Sequence, residues 1–172
     1  MTPTERTTTT RCRTVDSPIG PLTLAGDGRT LTHLTMEHQS HPPTGRDAWT
    51  VDQDAFGNVV EQLDAYFAGE LLDFDVPLRL EGTVFQQRVW SALREIPYGE
   101  TWSYGQLAGR IGNPGASRAV GLANGRNPVA VIVPCHRVIG ASGSLTGYGG
   151  GLDRKRLLLD LERTRVVPRL AL

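Results

Sequence analysis

Residues 103–125 read SYGQLAGRIGNPGASRAVGLANG. Ser103 is followed three positions later by Gln106, which is the spacing of a capping box and predicts that a helix begins there. The run 112–115, Gly-Asn-Pro-Gly, predicts a turn, and residues 117–125 predict a second helix. Two helices joined by a short glycine-containing turn outline a helix-turn-helix. This stretch therefore decides the fold class of the half that contains it.

The second helix of this motif carries unusually small side chains. Ala119, Gly121, Ala123 and Gly125 alternate along it, and each glycine lowers helix stability by about 1 kcal/mol relative to alanine. Such a composition needs a reason. Two interpretations stay open: close packing of two helices, or close approach to a nucleic-acid groove.

The segments on either side of this motif predict a mostly helical second half that contains one buried apolar run. Thr83 and Gln86 form another capping box, and the apolar residues that follow at helical spacing are Phe85, Val89, Trp90, Leu93 and Ile96. After the motif, the run 129–133 predicts a buried strand that leads to Cys135. A glycine-rich loop then surrounds Tyr148, and 153–162 predicts a last helix with Leu157, Leu158 and Leu161 turned inward.

The first half has a different pattern. The segments 12–15, 22–25 and 31–36 predict three short strands of an antiparallel sheet, separated by turn residues. We expect 38–50 to form a loop and 54–68 a helix that Asp54 caps and Gly69 ends. Residues 71–80 predict an extended connector. The predicted fold is α+β, with a sheet-plus-helix domain at 1–80 and a mostly helical domain at 81–172, and no chemistry is concentrated in the first domain.

Charge is distributed unevenly along the 172 residues. The formal net charge is zero, but residues 1–82 hold 6 Arg and 13 acidic residues, whereas residues 83–172 hold 11 Arg, one Lys and 5 acidic residues. This asymmetry is typical of nucleic-acid-binding proteins. Mutual attraction of an acidic and a basic face explains it equally well.

The two cysteines, Cys12 and Cys135, lie far apart and predict no disulfide framework. The segment 1–10 is rich in threonine and has no apolar run, so we expect no signal peptide, and no stretch is long and apolar enough to predict a membrane span. A reducing cytoplasm, in which free thiols persist, is the expected location.

Cys135 is followed directly by His136, the only histidine of the second half. A lone cysteine is most often a small buried hydrophobe, but a neighbouring base can raise its reactivity. Glu162 on the last predicted helix is a candidate to orient the imidazole. A zinc site would need more ligands than this half contains, so no metal is expected. The residues alone leave a structural cysteine and a nucleophile open.

The motif Pro-Cys-His-Arg-Val at 134–138, together with Arg-Ala-Val-Gly at 118–121 and Asn127-Pro128, resembles the signature of the O6-alkylguanine-DNA alkyltransferases. The resemblance runs from about Thr83 to Glu162 and includes Ile-Pro-Tyr-Gly at 96–99. It implies a DNA repair protein that flips O6-alkylguanine, and O4-alkylthymine, out of the duplex. The alkyl group is then transferred irreversibly to the cysteine, once per molecule and without a cofactor.

The resemblance also implies the partner and its contacts. Double-stranded DNA would lie with its minor groove on the second helix of the motif, and the protein would act as a monomer that can assemble cooperatively. Arg118 matches an arginine that fills the space left by the flipped base; a simple phosphate contact is the alternative. The remaining residues assigned to DNA are Ser117, Ala119, Gly121 and Ala123.

The reacting residues follow in the same way from the resemblance. Cys135 matches the nucleophile, His136 a base acting through a water molecule, and Glu162 the residue that orients it. Tyr104 matches the donor of a proton to the leaving guanine, with a core tyrosine as the alternative, and Asn127 a brace for the turn before the nucleophile.

Three residues match the guanine pocket. Tyr148 is a wall, and Val138 and Gly149 offer backbone groups to the base edge; position 149 holds glycine where many relatives have serine. Two other classes remain as rivals: a binding module that recognises the lesion without reacting, and a thiol hydrolase of small substrates, for which a helix-turn-helix has no use.

Overall fold

The computed structural model describes residues 9–170. Residues 1–8, which hold most of the threonine-rich segment discussed above, and residues 171–172 lie outside them. The first half builds a four-stranded sheet of β1 (Arg11–Val15), β2 (Leu22–Gly26), β3 (Leu31–Met36) and β4 (Thr50–Val51), in the order β3-β2-β1-β4. The three predicted strands are confirmed and pair antiparallel. The fourth strand was not predicted; it pairs parallel with β1.

The segment 38–50, which was expected to be a loop, contains regular structure at its end. A short 3-10 helix at Arg46–Ala48 leads into β4, and the backbone N–H of Thr50 donates to Thr10. A two-residue strand carries too little periodicity to be recognised in a sequence. The earlier part of the segment remains without strand or helix, as predicted.

The outer edge of β3 receives backbone from two later segments. Leu31 exchanges hydrogen bonds with the connector at Pro77 and Arg79, while Leu34 donates to Pro128 at 2.9 Å and accepts from Ala130 at 3.3 Å. An open strand edge is a row of unpaired donors and acceptors. The stretch leading to Cys135 is thus attached directly to the sheet.

The first-half helix, α1 (Gly57–Phe67), begins later than expected. Asp54 does not cap it: the residue before the helix is Phe56, in a left-handed conformation with φ 59° and no side-chain cap. The predicted end is confirmed, since Ala68 closes the helix and Gly69 follows with φ 76°. A left-handed residue after the last turn is the position that glycine favours.

The helical half contains the predicted motif. The helices are α2 (Val84–Leu93), α3 (Tyr104–Arg110) and α4 (Ser117–Gly125), and both predicted capping boxes are present, Thr83 with Gln86 and Ser103 with Gln106. α4 packs on both α2 and α3. The α+β fold with a helix-turn-helix is confirmed.

The apolar run 129–133 is buried but is not a strand, which corrects the expectation. Only Val129 forms an isolated bridge, to Leu34, and the chain then turns through Val131 with φ 72°. A short apolar run has no periodicity that separates a strand from a buried turn. The two strands of this half, β5 (Trp102–Ser103) and β6 (Val138–Ile139), pair in parallel on either side of it.

The last described helix, α5 (Leu152–Leu170), is longer than predicted, and the face that it buries differs from the predicted one. Leu158 is fully buried, but Leu157 is 39% exposed, so its inward assignment was wrong. Among the α5 residues whose burial is described, 152–165, the buried ones are Lys155, Leu158, Leu159 and Glu162. Their spacing of three and four is that of one helical face. None of the described helices is both long and apolar enough to cross a membrane.

Candidate active site

Cys135 begins a short 3-10 helix, Cys135–Arg137, placed between the buried turn and β6. Its side chain is 6% exposed and faces a cavity of about 250 Å³. The second half contributes Asn127 and Tyr148 to the cavity lining, and the first half contributes Met36 and Ser40. The thiol is therefore nearly sealed, yet it lies at the edge of a space that can hold a small ligand.

The turn that delivers Cys135 is strained and is braced by one side chain. Val131 adopts φ 72°, which is costly for a β-branched residue. Asn127 donates from Nδ2 to the Val133 carbonyl at 2.8 Å, and its Oδ1 accepts from the Val129 N–H at 3.0 Å. These two bonds span the strained residue. The geometry matches the bracing role that the resemblance implies for Asn127.

The ionisation of Cys135 is governed by burial. Removal from water raises the pKa of the thiol, and a hydrogen bond with Asn127 and the positive charge of Lys155 offset only part of this increase. The thiol is thus protonated at neutral pH. Since the thiolate is the nucleophilic form, the site needs a base to remove the proton.

His136 is the group beside it, and it is held by a carboxylate. His136 is fully buried, and its Nε2 lies 2.8 Å from Oε2 of Glu162. Burial lowers the pKa of His136, although Glu162 acts in the opposite direction. The imidazole is therefore neutral before reaction. Within the described part of the chain, its Nδ1 is a buried atom without a hydrogen-bond partner.

Arg137 makes Glu162 an anchored anion. Its guanidinium donates from Nε to Oε1 at 2.8 Å and from a terminal nitrogen to Oε2 at 3.0 Å, the bidentate geometry that favours an ionised carboxylate. Burial alone would raise the pKa of Glu162, but the hydrogen bond from His136 and the hydrogen bonds and charge of Arg137 hold it well below the ordinary value. The carboxylate only accepts, so Nε2 of His136 carries the proton and Nδ1 offers a lone pair.

A residue of the first half completes this group. Tyr66 of α1 is fully buried, and its hydroxyl donates to Oε2 of Glu162 at 2.6 Å. Tyr66, His136, Arg137 and Glu162 are called the Glu162 cluster below. This contact shows that a residue of the first half, in which no chemistry was expected, reaches the candidate site. The signal was available in part, because a tyrosine on the buried face of a helix usually needs a partner for its hydroxyl.

Lys155 is a second buried cation that the sequence reasoning missed. Its Nζ donates to the carbonyls of Val138 at 2.5 Å, Thr146 at 2.8 Å and Gly147 at 3.4 Å. Burial lowers the pKa of Lys155 to about 8. One ammonium thus ties β6 to the glycine-rich loop. Its position on α5 between charged neighbours suggested only a solvated residue.

The glycine-rich loop forms one wall of the cavity and contacts the first half. The Ser40 N–H donates to the Gly149 carbonyl at 2.7 Å. Two cavity-lining residues, Tyr148 and Asn124, each have a buried polar atom without a partner in the described structure: the Tyr148 hydroxyl and Oδ1 of Asn124. Such atoms are costly unless something binds them. They point to a polar occupant of the cavity.

Tyr104, the predicted proton donor, stands beside the loop outside the cluster. Its hydroxyl donates to the Thr146 carbonyl at 3.1 Å, the carbonyl that also accepts from Lys155. Its ring faces Gly121 of α4, where a Cβ would lie 3.7 Å away. Tyr104 is half-buried and does not line the cavity beside Cys135, so its assignment as proton donor stays a prediction.

The residues of α4 lie on two sides of the helix, one exposed and one buried. The exposed residues, called the α4 face below, are Arg118, Ala119, Leu122, Gly125 and Arg126. Leu122 is 75% exposed and was not singled out from the sequence. Ser117 is half-buried at the start of the helix.

Ala123 lies on the opposite side of α4 and is only 3% exposed. Its carbonyl accepts from the Trp90 indole at 2.9 Å. Ala123 thus lies where α4 packs on α2, away from the exposed residues of the helix. Close packing is the interpretation that fits this position, and close approach to a nucleic-acid groove remains a prediction for the exposed Ala119.

The comparisons with known proteins cover most of the chain. Two family models match: the ribonuclease-like domain of 6-O-methylguanine DNA methyltransferase over residues 10–80, and its DNA binding domain over residues 84–164. The methylated-DNA–protein-cysteine methyltransferase of Mycobacterium tuberculosis is 68% identical over 153 residues, which cover 89% of this chain and 92% of that protein.

A less similar relative and a solved structure point to the same family. The protein of the same name from Methanosarcina acetivorans is 58% identical over 147 residues, covering 86% of this chain and 94% of that one. A crystal structure of Mycobacterium tuberculosis OGT in complex with DNA matches with a TM-score of 0.86 and 67% identity, covering 90% of this chain and 94% of that chain.

Proposed function

Because the chain belongs to the 6-O-methylguanine DNA methyltransferase family, we propose that it repairs DNA by moving an alkyl group from O6 of guanine to Sγ of Cys135. The observation that carries this proposal is the pairing, at neighbouring positions of one short helix, of a buried, protonated thiol with a neutral imidazole whose Nδ1 has no hydrogen-bond partner among the described residues. That pairing provides a nucleophile that is inert at rest and a base that activates it.

The proposed reaction is a displacement at the alkyl carbon by the sulfur of Cys135. The proton of Cys135 passes to Nδ1 of His136 through a water molecule, and Glu162 stabilises the imidazolium that forms. Sγ then forms a bond to the alkyl carbon while the bond from that carbon to O6 breaks. The electron pair of the broken bond goes to the guanine, which receives a proton from the Tyr104 hydroxyl. No cofactor takes part.

The proposed DNA-contacting surface is the α4 face together with the half-buried Ser117 and Gly121. Duplex DNA lies with its minor groove on Arg118, Ala119 and Gly121, beside Ser117 at the helix start. The target base leaves the stack at a cost of a few kcal/mol, and the guanidinium of Arg118 fills the space and offsets part of it. The exposure of Arg118 and Ala119 and the small size of the latter support this docking.

The cavity beside Cys135 is the proposed guanine pocket. Tyr148 forms its wall, and backbone groups of Cys135, Val138 and Gly149 read the base edge. The orphaned Tyr148 hydroxyl and Asn124 amide oxygen support a ligand with polar edges. O4-alkylthymine, which presents the same alkyl–oxygen bond, is a second substrate in this proposal.

The proposal extends to organisation and location. We place the boundary between a sheet domain at 1–80 and a DNA-binding domain at 81–172, and expect a monomer in solution that can assemble cooperatively on DNA. A cytoplasmic location suits a chain whose cysteines, Cys12 and Cys135, are both free thiols.

Stoichiometry is the test of the proposed reaction. A thioether does not leave under these conditions, so each molecule reacts once. Titration with a duplex that contains O6-methylguanine should saturate at one methyl group per protein, and mass spectrometry should find the added methyl on the peptide with Cys135. The variant Cys12→Ser, which removes the other thiol, should saturate at the same value.

Two outcomes would contradict the proposal. Continued turnover beyond one methyl per protein would indicate a hydrolase. Tight binding of the methylated duplex without a covalent product after denaturing electrophoresis would indicate a binding module, with Cys135 as a structural residue.

A further inference from the structure

Tyr66 is the only member of the Glu162 cluster that the first half supplies. Its hydroxyl reaches a carboxylate 96 residues later in the sequence, at 2.6 Å. Tyr66 and Glu162 are 0% and 1% exposed. A hydrogen bond to a buried charge, in a medium of low dielectric constant, is among the strong ones. The contact therefore acts on the electronic state of Glu162 as well as on its position.

The donors around Glu162 leave little freedom to its oxygens. Oε1 accepts from Arg137 at 2.8 Å. Oε2 accepts from Tyr66 at 2.6 Å, from His136 at 2.8 Å and from Arg137 at 3.0 Å. Tyr66 and His136 thus compete for the negative charge on one oxygen. A stronger bond from Tyr66 leaves less of that charge to stabilise a protonated imidazole.

Packing alone does not account for the hydroxyl. The Tyr66 ring contacts the rings of Phe67 and Phe74, with centroids 5.1 and 5.2 Å away. A phenylalanine would make the same ring contacts without a polar atom to satisfy. The hydroxyl is therefore explained by its acceptor, Glu162.

We propose that Tyr66 is a positioning residue of the reaction: its hydroxyl fixes Oε2 of Glu162 against His136 and sets how strongly the carboxylate favours the protonated imidazole. The inference rests on the proposed alkyl transfer and deepens it. It assigns the first half a part in the chemistry, since without α1 the carboxylate would keep its arginine but lose this restraint.

The charged and titratable groups around His136 define the expected direction of change. Glu162 and Lys155 face it from α5, Arg137 and Cys135 flank it on its own helix, and Tyr66 contributes through Glu162 from α1. Removal of the Tyr66 hydroxyl returns negative charge to Oε2. The pKa of His136 should then rise, and a larger fraction of the base should be protonated, and inactive, at mildly acidic pH.

The experiment compares two variants of the full chain. Single-turnover transfer from a methylated duplex is followed from pH 5 to 9 for wild type, Tyr66→Phe and Phe74→Leu. Tyr66→Phe should react about tenfold more slowly at pH 7, equivalent to about 1.4 kcal/mol, and the acidic limb of its rate profile should move to higher pH. Phe74→Leu disturbs the packing of the same ring without touching Glu162, so its acidic limb should stay in place.

A second substitution keeps the inference testable if Tyr66→Phe folds poorly. A tyrosine with one fluorine beside the hydroxyl, incorporated at position 66, is a stronger donor of the same shape. It should move the acidic limb to lower pH, opposite to Tyr66→Phe. An unchanged limb in the Tyr66 variants, or an equal shift in Phe74→Leu, overturns the inference. Absence of transfer in the wild type would instead refute the proposed function.

Discussion

The α4 face and the Glu162 cluster both contain arginine, yet they place it in opposite surroundings. Arg118 on α4 and Arg126 directly after it are exposed, whereas Arg137 is 6% exposed and donates hydrogen bonds to Glu162 and to the Ile96 carbonyl. Water and salt screen the first two charges, but not the third. The surface proposed to contact DNA therefore lies in water, whereas the residues proposed for the reaction lie in a medium of low dielectric constant. Only the short segment 127–134 separates the two along the chain.

The first prediction separates the two regions completely. Cys135→Ser should abolish alkyl transfer, because a hydroxyl in place of the thiol stays protonated and is a poor nucleophile. The α4 face is untouched, so the affinity for methylated duplex should stay within about twofold of wild type. Such a change in binding free energy is well below the roughly 1.4 kcal/mol that corresponds to a tenfold change in affinity. Transfer by radiolabel and affinity by anisotropy measure the two quantities. Retained transfer would show that Cys135 is not the acceptor.

The second prediction concerns the buried arginine. Arg137→Met leaves Glu162 without its cation in a dry site, which typically lowers the free energy of unfolding by about 3–5 kcal/mol. Urea unfolding measures this loss. The matched control is Arg110→Met, which removes the exposed partner of Glu95 and should change stability little. Comparable losses in both variants would mean that burial does not distinguish these arginines.

The third prediction concerns the exposed arginine. Arg118→Ala should slow transfer from duplex DNA by roughly tenfold to a hundredfold, a share of the few kcal/mol that base flipping costs. Transfer from the free base O6-methylguanine, which needs no flipping, should be unchanged. Equal losses on both substrates would place Arg118 in the chemistry rather than in recognition.

The fourth prediction uses pH to probe the cluster. Burial also lowers the pKa of His33, which contributes in the same pH range, so the comparison with a His136 variant is needed to isolate the cluster. The folded-state pKa of His136 lies below its unfolded value, so protonation favours the unfolded chain. Stability should be full above the unfolded pKa of about 6.5 and decline as pH falls below it. Urea midpoints at pH 7.5 and 5.5 test this, and His136→Gln should show a smaller difference between them. An identical difference would remove His136 as its source.

The smallest expected effect belongs to Leu122. It is 75% exposed and carries no charge, so Leu122→Ala should weaken duplex binding by only about threefold, through lost apolar contact. The dependence of affinity on salt should not change. Arg118→Ala, by contrast, should lower the slope of log affinity against log salt by about one if it contacts a phosphate. A reduced slope for Leu122→Ala would contradict its assignment as an apolar contact.

The sequence predicted what is encoded locally. The capping boxes at Thr83 and Ser103 set the starts of α2 and α3, and the turn before α4 follows from its glycines and proline. Asp54 shows the limit of the same reasoning. It was expected to cap α1, but its own N–H is held by Asp52 at 3.0 Å in a turn, and the helix begins after it.

What the sequence could not give depends on contacts between distant segments. Tyr66 looks like an ordinary core residue until α5 brings Glu162 to its hydroxyl. The burial of Lys155 depends on three carbonyls that accept from its ammonium, one in β6 and two in the glycine-rich loop. The turn at Val131 was read as a strand, since no local signal shows that a valine adopts φ 72°. The catalytic assignments of Cys135 and His136 came from the resemblance.

The place of Glu162 in the sequence orders the assembly of the molecule. Tyr66, His136 and Arg137 precede it by 96, 26 and 25 residues, so a ribosome makes all its partners first. During synthesis the cysteine and its histidine exist for a time without the carboxylate. The base is not yet oriented then, and the nascent chain carries an unactivated thiol. Competence to react therefore requires that α5 has docked and brought Glu162 to His136.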